Sequence, residues 1–599
     1  MQDVINDYKN RAKQAAAEAE KYKSLSNTYS LYRLVIFGLM VLSVIIAAKL
    51  DTFTIIAVAA AILVFCFTWL VSRQGEFDKQ KAYYQNLERV NENEIQSIVD
   101  HKNIYPNGQQ FADEKHFYTS DLDIFGEASL FQLANRAATA RGNQKLSAWL
   151  SAPTDKSEIL SRQQAVKELA GKAGWKHDMQ ARLLFAMDEK AGRLDALFSY
   201  LQTPLELNGR KWIVPYIKVS PWLLLVTIIG GYFYHPANTA AIVLGIFNIG
   251  LVSSRGSFIA KSFSIADKMG DVLAGYADAF KRIELEQWEQ DRCRNLAQKL
   301  VSEGASKKIA ELAALVNKLG YSLNMIVGFV LNLFFLWTLK QTIAIEDWKR
   351  DNQHNLEDAF DIIAEFEALL GLAGLHINYP AWCFPQIADG GNYTLIAKNL
   401  AHPLISEDIR VANDYELDHA LNIDIITGSN MAGKSTFLRT IGINTVLALS
   451  GAPVCGDSMQ VSVMEIISYM RIKDSLSEST STFKAEIDRL KMLLTEVAGH
   501  KKVFFLVDEM LRGTNSIDKY RGSKAVIIQL MSSKGVGMVA THDLQIAELE
   551  KDYPDYIRNF YFDIQVKDGE MLFDYKIKHG ECKTFNASLL LKQIGIDVE

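Results

Sequence analysis

The chain has 599 residues, a formal net charge of −6 and a sequence pI near 6.1. That length calls for several domains, and that charge excludes a global nucleic-acid-binding footprint, so any such contact must come from local basic faces. The cysteines Cys66, Cys293, Cys383, Cys455 and Cys582 are scattered with no C-x-x-C pair, which argues against zinc or dithiol redox work and for a reducing compartment.

Residues 1–30 are polar and rich in Ala, Lys and Glu, predicting a helix. It runs into an uncharged apolar stretch, Leu34 to Ala48. A second follows from Phe53 to Val71, with Lys49-Leu50-Asp51-Thr52 as the turn between them. A membrane-crossing helix needs about 20 apolar residues, within roughly 17–25. The second run meets this, and the first does so counted from Tyr32 to Leu50. Two buried soluble helices are the alternative. A cleaved signal peptide is not expected, because the first run starts late and the second follows at once.

Residues 75–118 read as a charged helix and then a turn at Tyr105 to Gly108. A helical core starts at 120–205. Val219 to Tyr234 and Ala237 to Val252, joined by His235-Pro236, predict a second membrane hairpin; the alternative is a hairpin lying partly in the interface or packed on the core. Residues 257–320 carry the apolar spacing of long amphipathic helices. A fifth apolar run, Ile326 to Leu339, contains Asn332 and follows Asn324. Spanning there would move everything after it across the membrane, so it is expected to be a buried core helix. From about residue 395 the pattern switches to β/α.

Charge sets the topology. Lys9, Arg11, Lys13, Lys21, Lys23 and Arg33 precede the first run, and Arg73, Lys79 and Lys81 follow the second. Arg210, Lys211 and Lys218 precede the third, and Arg255 and Lys261 follow the fourth. By the positive-inside rule all these segments are cytoplasmic. The expectation is a multi-pass protein of the cell (inner) membrane, with N-terminus, core and C-terminal domain in the cytoplasm.

Residues Gly428, Ser429, Asn430, Met431, Ala432, Gly433, Lys434 and Ser435 match G-x-x-x-x-G-K-[ST], the phosphate loop. The apolar Ile423-Asp424-Ile425-Ile426 before it reads as a strand, and Thr436 to Leu449 after it as a helix. Glycines let backbone N–H groups wrap phosphates, and the helix N-terminus adds positive potential. Lys434 would reach the β/γ-phosphates of ATP, and Ser435 would bind Mg²⁺. Val503 to Val507 is an apolar strand ending in Asp508-Glu509: Asp508 is placed to hold Mg²⁺, and Glu509 to orient and deprotonate a water. Val536 to Ala540 predicts another strand, ending in Thr541-His542-Asp543, where His542 would sense the γ-phosphate. The alternative is that Glu509 and His542 are ordinary loop residues.

The motifs TGSNMAGKSTFLRT, STSTFKAEI, LVDEMLRGT and ATHDLQIAEL resemble, in order and spacing, the ATPase domain of the MutS family of DNA mismatch repair proteins. No LSGGQ-type signature of ordinary ABC ATPases occurs. Thr480-Ser481-Thr482-Phe483 stands where the family keeps its serine-containing trans motif. The resemblance therefore implies a homodimer in which Ser481 and Thr482 reach the partner's nucleotide. Val411-Ala412-Asn413 resembles the segment flanking the adenine, with Val411 the apolar contact; a solvated strand end is the alternative. In all, the resemblance covers roughly residues 120–205 and 257–595 and is strong only after about residue 360. Asn399-Leu400-Ala401-His402-Pro403 is similar to a family motif in which Arg is usual where Ala401 stands. In the family a DNA clamp interrupts the core helices; here a hairpin does.

The fold class expected is multidomain: membrane helical hairpins, an all-α MutS-like core (lever) domain and a C-terminal α/β P-loop ATPase domain of ABC type. The predicted order is a cytoplasmic N-terminal helix (1–30), a transmembrane hairpin (31–73), a linker helix and turn (74–119), core first part (120–211), a second transmembrane hairpin (212–254), core second part (255–394) and the ATPase domain (395–599). Family mismatch readers carry a Phe-x-Glu wedge. Phe125-Gly126-Glu127 is a literal match at the core boundary and reads as coincidence. Three functions compete: a membrane-anchored, ATP-switched dimer binding DNA by non-specific phosphate contacts, a tethered ATPase with a non-DNA remodelling or sensing role, and an ABC-type transporter. The partners implied are a second copy, membrane lipid and DNA.

Overall fold

The computed structural model describes residues 1–47, 53–188, 192–203, 205–266, 269–352, 356–389, 391–418, 422–429, 431–470, 482–499, 501–567 and 570–582. Two long helices open the chain, α1 (Gln2–Ala47) and α2 (Phe53–Asp100). They pair antiparallel: Tyr22 stacks on Tyr84, and Ser26 donates to Asp78 at 2.7 Å. The predicted turn at 49–52 lies outside the described residues. Away from the core the pair is apolar and open, with Leu34, Phe37 and Phe65 exposed. Its other end, carrying Tyr8, Glu94 and Ile98, is buried against the core.

The all-α core comprises α3 (Leu130–Ala134), α4 (Ala140–Ser151), α5 (Lys156–Gly171), α6 (Ala173–Leu183) and α7 (Arg193–Gln202). The hairpin α8 (Arg210–Phe233) and α9 (Pro236–Ser254) interrupts it. It resumes with α10 (Gly256–Ala266), α11 (Met269–Glu284), α12 (Asp291–Glu303), α13 (Ala305–Gly320), α14 (Met325–Phe335), α15 (Trp337–Asp351) and α16 (Leu356–Asn378). Local chemistry sets the boundaries. Ser129 and Thr139 cap α3 and α4 by accepting from Gln132 N and Gly142 N, and α12 ends at Gly304 in the left-handed region. Among the described residues, Gln2–Ser43, Arg210–Phe233 and Pro236–Ser254 are long and apolar enough to cross a membrane.

The fifth apolar run departs from its expectation. Instead of a buried core helix, α14 is largely open, with Met325, Ile326 and Phe329 exposed. Asn324 and Asn332 shape the two ends of α14. Asn324 Oδ1 caps α14 by accepting from Ile326 N and Val327 N. Asn332 exchanges hydrogen bonds with Thr338 across the turn into α15.

Among the described residues the C-terminal region holds ten strands: β1 (Gln386–Ala388), β2 (Thr394–Leu400), β3 (Asn413–Asp418), β4 (Ile423–Thr427), β5 (Ser458–Ser462), β6 (Glu465–Tyr469), β7 (Val503–Asp508), β8 (Val536–Ala540), β9 (Ile557–Lys567) and β10 (Glu570–His579). Between them lie α17 (Lys434–Ser450), α18 (Thr482–Val497), α19 (Ser516–Ser532), α20 (Leu544–Ala547) and α21 (Leu549–Asp552). One sheet runs β1-β5-β2-β3. The other runs β10-β9-β4-β8-β7-β6 and is parallel except for β10. The strands β4, β7 and β8 are buried throughout, which is why β7 and β8 are near-continuous apolar runs in sequence, while β4 carries a buried Asp424 held by Arg558 and Tyr415. A single hydrophobic cluster joins α4, α5 and α16 of the helical core to α17, so the two regions share a packed boundary.

Candidate nucleotide site

The strand order β4-β8-β7 puts three chemically loaded strand ends side by side. Ile426 and Asp508 are both register partners of Ala540. Thr541 N donates to Ile426 O and Glu509 N to Ala540 O, each at 3.0 Å. The segment bearing His542 is therefore stitched between the phosphate loop and Asp508-Glu509. Ligands of open α/β sheets bind at these carboxyl ends.

The loop conformation needs its glycines. Gly428 has φ +135°, and a Cβ there would lie 2.8 Å from Phe562 O. Gly433 has φ +106°, and its Cβ would meet Tyr575 at 3.1 Å. Lys434 opens α17, so the unsatisfied N–H groups of its first turn face the loop. Ser429 is half-buried, Met431 exposed and Ala432 buried; Asn430 lies outside the described residues.

Lys434 is buried, and its Nζ donates to Gly428 O at 2.7 Å and Ser429 O at 2.8 Å. Burial pulls its pKa down, partly offset by the charges of Asp508 and Glu509. Ser435 Oγ donates to Asp508 Oδ2 at 2.6 Å, so the two residues expected to hold Mg²⁺ are in contact. Glu509 sits in the left-handed region at φ +58°, as does Leu511 at +56°, a strained turn at the end of β7. Lys519 Nζ donates to Glu509 Oε1 at 2.7 Å, and His542 Nδ1 lies 2.8 Å from the same oxygen. Arg512 Nε is 3.6 Å from Glu509 Oε2. Burial alone would raise the Glu509 pKa, but Lys519, His542 and Arg512 hold it below the ordinary carboxylate value.

Val411 lines a cavity of about 420 Å³ beside the loop, with Ile409, Thr436, Phe437, Phe562 and Tyr575. Its size and apolar, aromatic lining suit a planar base. Thr482 begins α18; its side chain, and Ser481, lie outside the described residues. Phe125 packs its ring 5.9 Å from that of Phe111 and 5.6 Å from that of Phe131, in a structural aromatic cluster.

Lys519, Arg512 and Tyr575 belong to the site and were not singled out in the sequence. One signal existed for Lys519. Asn515 caps α19, accepting from Asp518 N at 2.9 Å, and an Asn-x-x-Asp start would have put Lys519 in that helix's first turn. The donor set suits a magnesium nucleotide: a hydroxyl and a carboxylate for the hard cation, and an ammonium with a glycine-lined N-terminus for phosphate.

The MutS domain V family matches residues 424–590, which holds the whole strand-end constellation. The DNA mismatch repair protein MutS of Aquifex pyrophilus is 31% identical over 227 residues, 37% of this chain and 26% of that protein. The Caldicellulosiruptor saccharolyticus protein of the same name is 24% identical over 531 residues, 79% of this chain and 58% of its own length. This second alignment reaches beyond the C-terminal sheets into the helical region. Residues 424–590 carry a MutS domain V, within a longer stretch similar to MutS proteins. A MutS protein from Caldicellulosiruptor bescii is 29% identical over 257 residues, 40% of this chain and 29% of its own. The chain thus spans less than two thirds of the length of the MutS relatives it matches.

Proposed function

We propose that this MutS-family chain is a membrane-anchored ATP hydrolase that works as an ATP-switched homodimer and binds DNA through phosphate contacts. The observation that carries the reading is the meeting of Lys434, Ser435, Asp508, Glu509 and His542 at three adjacent strand ends. The base of ATP enters the cavity beside Val411, and its phosphates follow the main chain from Gly428 to Thr436. Lys434 exchanges its two loop carbonyls for phosphate oxygens. Ser435 and Asp508 would hold Mg²⁺, which would supply neutralisation of phosphate charge when bound. Glu509, kept ionised by its basic neighbours, orients a water in line with the γ-phosphate and takes its proton as the water oxygen bonds to phosphorus and ADP leaves. His542 senses the γ-phosphate by trading its contact with Glu509. Ser481 of the partner subunit completes the site, so ATP binding and dimer closure are linked.

Anchoring is supported by the exposed apolar faces of α1, α8 and α9, and their cationic flanks favour, by the positive-inside rule, a cytoplasmic core and ATPase region. A second reading, a tethered ATPase with a non-DNA role, is favoured by Phe125. It is committed to an aromatic cluster, which leaves no identified group to stack on a mispaired base. A transporter is the weakest reading, since no LSGGQ signature occurs. The deciding measurement is DNA binding by the detergent-purified full chain across a salt series, with homoduplex and mismatched duplex. Phosphate-driven binding gives a linear fall of log affinity with log salt, and a mismatch preference below tenfold, about 1.4 kcal/mol. Absence of binding at low salt would transfer the site to the second reading. Release of the chain from membranes by salt alone would remove the anchor.

A further inference from the structure

We propose that α14 is a third lipid-facing element, dipping into one leaflet beside the α8–α9 hairpin without crossing the bilayer. The inference rests on the anchoring reading above and extends it to a segment whose sequence pattern suggested buried core.

Length excludes crossing. The 11 residues of α14 rise about 16 Å, roughly half of a ~30 Å hydrocarbon core. Its ends turn it back. The axes of the segment before it and of α14 differ by 109°, with Asn324 capping the new helix. At the far end Leu336 takes φ +46°, and the Asn332–Thr338 hydrogen bonds close the reversal into α15. Since α13 and α15 both pack on the core, α14 leaves and returns on the same side.

The surface it presents is apolar. Met325 is 87% exposed, Ile326 77% and Phe329 57%. The face is continuous with the hairpin, because one polar knot ties α8, α9 and α14 together. Asn248 of α9 is fully buried. Its Nδ2 donates to Leu333 O of α14 at 2.8 Å, while its Oδ1 accepts from Tyr216 and Ser220 of α8 at 2.8 and 3.0 Å. Gly245 makes room for Leu333, whose Cδ1 would lie 2.9 Å from a Cβ there. The knot satisfies its own hydrogen bonds, as an apolar medium requires. Outside it, Val226, Ile229, Val243 and Ile246 extend the same exposed apolar surface.

Charge selects lipid over a second protein surface as the occupant. Cationic residues bracket every element of the unit at its core-ward end: Arg210 and Lys211 open α8, Arg255 follows α9, Lys318 precedes α14 and Lys340 follows it. Trp337 lies at the same boundary, donating Nε1 to Lys318 O at 2.7 Å, with Tyr321 exposed nearby in sequence. Apolar tips, an aromatic boundary and a cationic base match the layers of a leaflet with anionic headgroups.

The test uses the full chain, with its native cysteines replaced and ATP hydrolysis retained as the check on folding. Phe329→Cys, Val330→Cys and Val243→Cys are each labelled with an environment-sensitive fluorophore. The protein is reconstituted in vesicles of phosphatidylcholine and phosphatidylglycerol. Spin-labelled lipids quench from near the headgroup or near the chain end. The expected result is stronger quenching from the headgroup position at 329 and 330, and from the chain end at 243. No quenching at 329 and 330 with quenching at 243 would overturn the inference while the anchor stands, and a second copy would then cover α14. Chain-end quenching at all three sites would overturn the shallow dip. Quenching at 329 and 330 alone would break the joint unit. No quenching anywhere would remove the anchoring reading and this inference with it.

Discussion

Glu94 and Glu509 are each held by basic side chains, and both carboxyls lie below their ordinary pKa, yet their surroundings differ in every other respect. Glu94 is fully buried in the regular backbone of α2. Arg136 meets it through two hydrogen bonds at 3.0 and 2.8 Å, Lys176 at 2.6 Å, and Asn378 Nδ2 at 2.8 Å. Burial would raise its pKa, but Arg136 and Lys176 push it well below the usual range. The cluster welds α2, the α3–α4 connection, α6 and α16 together. Glu509 instead keeps part of its surface open, stands on a strained left-handed turn and shares one oxygen between Lys519 and His542. A carboxylate with every lone pair satisfied in the interior is a structural fixture. One that is strained, partly wet and flanked by a histidine can exchange partners, which a hydrolytic site requires.

Substitution separates the two. Glu509→Ala should slow ATP hydrolysis by about 10²–10⁴-fold while leaving nucleotide binding and the melting temperature near those of the parent. Steady-state turnover and nucleotide titration check this, and turnover at the parent rate would remove Glu509 from its role. Glu94→Ala should do the reverse. Leaving two buried cations unpaired costs about 3–5 kcal/mol, read as a fall in the detergent-micelle melting temperature. The pH dependence follows from the sign of the shift. A carboxyl with a depressed folded pKa contributes its stability above the unfolded value, about 4.3, and loses it as pH falls through the folded value. The gap between parent and Glu94→Gln should therefore be full at neutral pH and shrink only in strongly acid solution. A gap independent of pH would show that Glu94 is not ionised.

The same contrast explains what sequence could reveal. Phosphate binding needs glycines, a lysine and a hydroxyl within one short loop, so Gly428 to Ser435 announces itself. Asp508-Glu509 and Thr541-His542-Asp543 follow because buried parallel strands are apolar runs with abrupt polar ends. Lys519 is one lysine on a charged helix, and only the folding of α19 back over β7 brings it to Glu509. The Glu94 cluster was illegible because its partners lie 42, 82 and 284 residues away on separate helices. The apolar run at α14 was misjudged because interior and lipid-facing helices share a composition; the difference lies in which neighbours the chain brings up.

A milder change tests whether the Lys519 clamp tunes chemistry. Lys519→Met removes a charge that lowers the Glu509 pKa, leaving burial to act with less opposition. The acid limb of kcat/KM for ATP should move to higher pH, because Glu509 must be ionised to act as base. Its alkaline side and the melting temperature should change little. An unmoved acid limb with lowered kcat would instead make Lys519 a positioning residue for His542.

The smallest expected effect lies at the rim of the buried cluster. Tyr8 Oη donates to Asn378 Oδ1 at 2.7 Å, and Asn378 in turn donates to Glu94. Tyr8→Phe keeps the ring and its edge-on contact with His177 at 5.3 Å, but leaves a buried amide oxygen without its donor. Such an acceptor costs about 1–3 kcal/mol, less than unpairing two cations. The urea midpoint of the purified chain should fall accordingly, with ATP turnover unchanged, since the neighbours of Tyr8 lie on α1, α2, α6 and α16, away from the nucleotide site. A loss as large as that of Glu94→Ala would mean that α1 holds the weld shut from outside. The first 47 residues would then be part of the core's stability and not merely an arm leading to the membrane.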